Sequence, residues 1–116
     1  MHELSIVMTI VDLAERSARQ HQANAVKQID LEIGALAGVE LSALKFVWPE
    51  GVKGSVLENA KRVIHQIPGK GRCEDCNQEF ALEQYYGPCP HCGSFAKQVI
   101  AGNEMRVRSL TVEGRE

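Results

Sequence analysis

Cys73-Glu-Asp-Cys76 and Cys89-Pro-His-Cys92 are two C-x2-C pairs separated by twelve residues. Each pair forms a short knuckle that presents two thiolates, and four thiolates meet the tetrahedral demand of a structural Zn(II) ion without strain. Asn77 and Gly93, directly after the two pairs, are residue types that tolerate the left-handed backbone needed where a chain folds back over a metal. The competing chemistries for these cysteines are a rubredoxin-like iron centre and a redox dithiol or disulfide. All four fall between positions 73 and 92, and the N-terminus lacks the basic start and clean apolar run of a secretion signal. The expected compartment is therefore the cytoplasm, where clustered cysteines act as metal ligands before they act as disulfides. His91, inside the second knuckle, is a solvent-facing spacer or, at altered pH, an alternative ligand.

Met1-His2-Glu3 offers a second kind of chemistry. The α-amine, the amide nitrogen of residue 2 and the His2 imidazole can close adjacent chelate rings about one ion. Such nitrogen-rich, near-planar donor sets suit Ni(II) or Cu(II) rather than Mg(II) or Ca(II). A bulky second residue keeps Met1 in place, so the amine belongs to Met1. Taken without the rest of the chain, an N-terminal histidine is an ordinary exposed residue. Glu40 is a further carboxylate for that site or a solvated loop residue. The four histidines, His2, His21, His65 and His91, lack the spacing of a catalytic metal motif, and there is no Gly-rich phosphate loop or Ser/His/Asp grouping. An enzyme is not expected.

The elements that must position these groups follow from patterning. Leu4, Val7, Met8, Val11, Ala14 and Ala18 recur at helical spacing opposite Ser5, Thr9, Asp12, Arg16 and Arg19, which predicts a helix over 4–22 with His2 on its wet side. Ile29, Leu31 and Ile33 alternate with Gln28, Asp30 and Glu32, a strand with one buried face. A second helix starts near Ser42, and Pro49 predicts its end or a kink near Trp48. Lys61–Ile67 is a second strand, Pro68–Gly71 a flexible joint, 96–101 a short strand, and 104–113 a last strand with a bulge around Arg108 and Ser109.

The expected architecture is α+β: two helices on a small three-stranded mixed sheet, with an inserted four-cysteine zinc-ribbon module. Residues 1–69 with 103–116 form the α/β domain and residues 70–102 the zinc-binding domain, too small to fold on its apolar surface without metal. The 116 residues carry a net charge of −2, with 44% hydrophobic and 5% aromatic residues. That composition provides no basic field for nucleic acid or anionic lipid. No apolar run reaches membrane-spanning length. Tyr85 and Tyr86, without flanking basic residues, are expected to pack against the ribbon.

Met1-His2-Glu3-Leu4-Ser5, Leu31-Glu-Ile-Gly34 with Gly38-Val39, Lys53-Gly54, the two cysteine pairs with Pro90 and Gly93-Ser94, and Glu104-Met-Arg-Val107 together resemble the HypA/HybF family. These are nickel-insertion accessory proteins of nickel–iron hydrogenase maturation, and the resemblance runs nearly end to end. It implies a nickel metallochaperone whose N-terminal amine, His2 and neighbouring amides bind Ni(II), with Glu3 in support and structural Zn(II) on Cys73, Cys76, Cys89 and Cys92. It implies as partners a GTPase accessory protein (HypB) and the hydrogenase large-subunit precursor, and for some members the urease system. A monomer or weak dimer is expected. The alternative is a zinc-ribbon protein-interaction module with no nickel role.

Overall fold

Glu3–Gln20 form helix α1, and its polar residues Ser5, Thr9, Asp12, Arg16 and Arg19 all face solvent as their spacing predicts. In this computed structural model, which describes residues 2–113, the buried stripe is Ile6, Val7, Ile10, Val11, Ala14 and Ala18. Leu4 and Met8, expected in that stripe, are instead about half exposed. The apolar arc of α1 is wider than one helix face can bury, and the β-branched Ile6 and Ile10 take the interior places. His21 closes the helix, its imidazole Nδ1 2.9 Å from the Ser17 carbonyl.

Strand β1 (Ala25–Gly34) is followed by α2 (Leu41–Val52), β2 (Lys61–Ile67), β3 (Lys70–Cys73), β4 (Glu79–Ala81), β5 (Lys97–Ala101) and β6 (Met105–Glu113). One sheet has the order β2-β1-β6 and the other the order β4-β3-β5. The Ala35 N–H donates to the Ile67 carbonyl at 2.9 Å, so the C-terminal ends of β1 and β2 meet and the two strands run parallel. The Gly34 N–H donates to Glu104 at the head of β6, which makes β1 and β6 antiparallel and the sheet mixed. The α+β class with two helices and a small mixed sheet is the expected one. Along β6 the burial alternation changes phase between Arg108 and Ser109, two successive exposed residues, where the sequence pattern placed its bulge.

Of the two outcomes expected near Trp48, a helix end or a kink, the end does not occur: α2 continues through Pro49 to Val52. Proline inside a helix removes one hydrogen bond and costs about 3 kcal/mol. Leu44, Trp48, Gly51 and Val52 lie on one stripe and are all buried, and burying the side chains of Leu44, Trp48 and Val52 contributes roughly 1.5–3 kcal/mol each. Burial outweighs the broken bond. Gly51 is needed in that stripe because a Cβ there would collide with Val7 Cγ1 of α1. Beyond α2, the Arg62 guanidinium stacks over the Trp48 ring at 5.4 Å, so this charged residue of β2 is accommodated without entering the core.

The chain divides into two compact units: the residues up to Leu31 with Val39–Ile64 and those from Val107, and a second comprising Glu32–Gly38 and His65–Arg106. In the second, Leu36, Cys73, Phe80, Leu82 and Cys89 form one buried cluster joined by Cys76 and Val99. The segment expected to be a flexible joint, Pro68–Gly71, is packed: Gly69 and Gly71 are buried, Lys70 already starts β3, and the Leu82 N–H donates to the Gly69 carbonyl at 3.0 Å. Gly102, with φ +106, brings its backbone against Gly34 and Gly69, where no side chain fits. Glycines here permit close crossing rather than looseness.

Candidate metal centres

The four cysteines come together on two turns. Cys73 is the last residue of β3, and its carbonyl accepts the Asn77 N–H at 2.9 Å. Cys89 repeats that turn, its carbonyl accepting the Gly93 N–H at 2.8 Å. Both turns require a left-handed residue, and Asn77 (φ 64) and Gly93 (φ 80) supply it as their types predict. The sulfur of Cys73 accepts from the Cys76 N–H and that of Cys89 from the His91 N–H, each at 3.4 Å.

All four Sγ atoms lie within 4.8 Å of one another. Cys73 Sγ stands 3.5 Å from Cys92 Sγ and Cys76 Sγ 3.7 Å from Cys89 Sγ. Zn–S bonds of about 2.3 Å make a tetrahedron whose sulfurs are separated by about 3.8 Å, so the donor set fits Zn(II) in type, number and spacing. The same separations far exceed the roughly 2.05 Å of a disulfide, and all four cysteines are free. Cys73 and Cys89 are buried, Cys76 is half-buried and Cys92 exposed, so the cluster sits at the margin of the small core.

Electrostatics within the cluster favour a cation. The Cys76 N–H, with help from the Asp75 N–H and the thiols of Cys92 and Cys76, draws the Cys73 thiol down to about 7 against the opposing effect of burial. The Ser94 N–H favours the Cys92 thiolate, but the Cys73 sulfur, burial and the sulfurs of Cys76 and Cys89 outweigh it and push Cys92 up to about 12. Cys76 also rises: the Gln78 N–H opposes this, while burial and the sulfurs of Cys89 and Cys73 drive it. One thiolate forms readily and the next are suppressed by like charge until a divalent ion removes the penalty.

At the other end of the chain, His2 is exposed, has extended backbone (φ −85, ψ 111) and caps α1 without a side-chain hydrogen bond. Glu3 opens the helix, and its Oε2 accepts the Glu40 N–H at 3.0 Å. That bond, then the residue's own backbone N–H, holds the Glu3 carboxyl below its ordinary value of 4.5. Glu40 is the N-cap of α2, its Oε1 accepting from Ser42 N at 3.3 Å and from Ser42 Oγ at 2.6 Å. Pairing of the two helix starts thus brings Glu3 and Glu40 together, through a backbone amide no spacing rule would have found. Met1 lies outside the described residues.

The chain as a whole has known relatives. A family model described as "Hydrogenase/urease nickel incorporation, metallochaperone, hypA" matches residues 1–112. The chain belongs to the HypA family. It is 43% identical over 113 residues to the hydrogenase maturation factor HypA of Parabacteroides distasonis, covering 97% of this chain and 98% of that one. The HypA of Prosthecochloris aestuarii is 40% identical over 113 residues, with 97% and 100% covered. The solution structure of the Ni metallochaperone HypA from Helicobacter pylori superposes with a TM-score of 0.72 at 28% identity, over 99% of this chain and 100% of that one.

Within this HypA chain the ligand atoms that converge are the four cysteine sulfurs; the His91 side chain is exposed and is not among them. Tyr85 and Tyr86, expected to pack on the ribbon, are 52% and 72% exposed. Phe80, Leu82 and Leu36 already fill the module's interior, which leaves the tyrosines to the following turn. Among the described residues no helix is long and apolar enough to cross a membrane.

Proposed function

We propose that this HypA-family chain is a cytoplasmic nickel metallochaperone, a carrier rather than an enzyme, with its nickel site at the N-terminus and a structural Zn(II) on Cys73, Cys76, Cys89 and Cys92. The observation that carries the nickel assignment is the arrangement at the start of α1: an exposed, uncapped His2 in extended backbone, followed by a Glu3 carboxylate anchored to the Glu40 amide. An extended His2 leaves its imidazole and amide able to join the Met1 amine about one ion. Glu3, its carboxyl kept anionic by the Glu40 N–H, is the supporting group, and Glu40 is a further candidate carboxylate. The ion is cargo: the amine and imidazole must lose protons to bind it, so acidification or a competing partner site releases it.

In this reading residues 1–69 with 103–116 are the nickel-binding domain and residues 70–102 the zinc-binding domain. The recipient is the nickel–iron hydrogenase large-subunit precursor, with the GTPase HypB as partner and the urease system as a second destination; the family description supports hydrogenase and urease as the two destinations, naming both. The working form is a monomer or weak dimer.

Calorimetry on zinc-loaded protein with a free Met1 tests the site. One Ni(II) per chain at micromolar affinity or better is expected in addition to zinc, with binding abolished in His2→Ala at unchanged zinc content and weakened by residues added before Met1. Unaltered nickel binding in His2→Ala would refute the assignment and favour a zinc-ribbon interaction module. Affinity should also weaken as the pH is lowered, because the nitrogen ligands must lose their protons to bind the ion.

A further inference from the structure

The two cysteine knuckles are joined by a side-chain contact that metal ligation does not explain. Ser94 follows the second knuckle, and its backbone serves that knuckle: the carbonyl accepts the Cys89 N–H at 2.8 Å, and the N–H stabilises the Cys92 sulfur. Its side chain points the other way. Ser94 Oγ donates to Asp75 Oδ2, within the first knuckle between Cys73 and Cys76, and accepts the Ala96 N–H at 3.1 Å. The Ala96 carbonyl in turn accepts the Glu74 N–H at 2.9 Å, so residues 94–96 grip both middle residues of the first knuckle.

We propose that Asp75 and Ser94 form a clasp that holds the two C-x2-C knuckles at ligand distance and so governs how fast the cysteine site releases its metal. For Zn(II) to leave, the Cys73/Cys76 sulfurs must part from the Cys89/Cys92 sulfurs. With the clasp closed, that parting also breaks a hydrogen bond to an ionised acceptor. Asp75 and Ser94 are positioning residues: neither supplies a ligand. The proposal rests on the cysteines binding Zn(II), the reading given above.

A purely electrostatic role for Asp75 leaves Ser94→Ala without effect, because that change removes no charge. The clasp predicts faster release from Asp75→Ala and Ser94→Ala alike. The experiment is transfer of Zn(II) from the full-length protein to excess chromophoric chelator, followed by absorbance, with metal content measured beforehand. Asp75→Ala and Ser94→Ala should each release zinc about fivefold to tenfold faster than the native chain. Ser94→Thr, which keeps a hydroxyl, should stay within about twofold, and the double variant should be no faster than Ser94→Ala, which already removes the bond to Asp75 along with the one from the Ala96 N–H. Complete loss of zinc in Ser94→Ala with retention in Ser94→Thr would also support the clasp. Native or slower release in zinc-loaded Asp75→Ala, or additive effects in the double variant, would overturn the clasp alone. A native chain that binds no zinc would overturn the metal assignment and the clasp with it.

Discussion

Gly51→Ala tests whether the α1/α2 contact is set by the absence of one side chain. In an exposed helix interior the change would stabilise by about 1 kcal/mol, because alanine is the better helix former. Gly51 is buried, however, and the new Cβ would fall inside the contact distance of Val7 Cγ1 and 3.2 Å from Val7 Cβ. Val7 is fully buried and β-branched, so it has one strongly preferred rotamer in a helix and cannot turn away. Relief requires the helices to separate, and overpacking of this kind costs about 1–3 kcal/mol, toward the upper end when main-chain-anchored atoms collide. Setting that against the propensity gain leaves a net loss of about 1–2 kcal/mol. Trp48, the single tryptophan, lies on the same helix and is 5% exposed, so its fluorescence reports the unfolding directly. With a urea slope of about 1–3 kcal/mol per molar, the midpoint should fall by roughly 1 M. A midpoint equal to or above that of the native chain would refute the packing argument.

Three further outcomes are expected. Pro49→Ala should raise the urea midpoint, with a net gain of about 2 kcal/mol: the helix interior recovers about 3 kcal/mol, and the more flexible unfolded chain takes back about 1; a lower midpoint would mean that Pro49 supports α2 in a way its exposed position does not show. The Glu3 carboxyl is held below 4.5 by the Glu40 N–H, so this contact is fully present above the unfolded value and is lost only as pH falls through the lower folded one. Carbon-13 titration of Glu3 should give a midpoint below 4.5 in native protein, and one at or above that value would deny the contact. Stripping zinc with a chelator should expose Phe80 and Leu82, raising dye binding and abolishing exchange protection at the Leu82 and Cys89 amides, since structural zinc contributes on the order of 10 kcal/mol to a domain of this kind. Retained protection would show that the core holds without metal.

Much of the site was legible from residue type alone. The C-x2-C pairs with Asn77 and Gly93 encode their turns locally, and a local turn is decided by a few torsions that neighbouring residues control. The same holds for the polar face of α1 and for β2, whose limits match the expected 61–67. Expectations failed where burial competed with local rules. Pro49 does not end α2, whose buried stripe runs on past it, Leu4 and Met8 lost their places to β-branched neighbours, and Glu32, expected on the wet face of β1, is 7% exposed and paired at 2.6 Å with Arg106. A buried carboxylate persists only with such a partner, and the partner is far away in sequence.

The chain by itself determined which atoms are available to bind metal: four thiols on two knuckles, and the His2 imidazole of the proposed nickel site. Ligand chemistry resides in residue identity and short spacing, which folding does not alter. Tertiary structure decided what holds those atoms in place. It set the Glu40 amide against Glu3, folded Gly69 and Gly102 into a packed crossing where a loose joint was expected, and linked Asp75 to Ser94 across nineteen positions. Such contacts depend on where remote segments are brought by the burial of side chains elsewhere, and no local pattern records that.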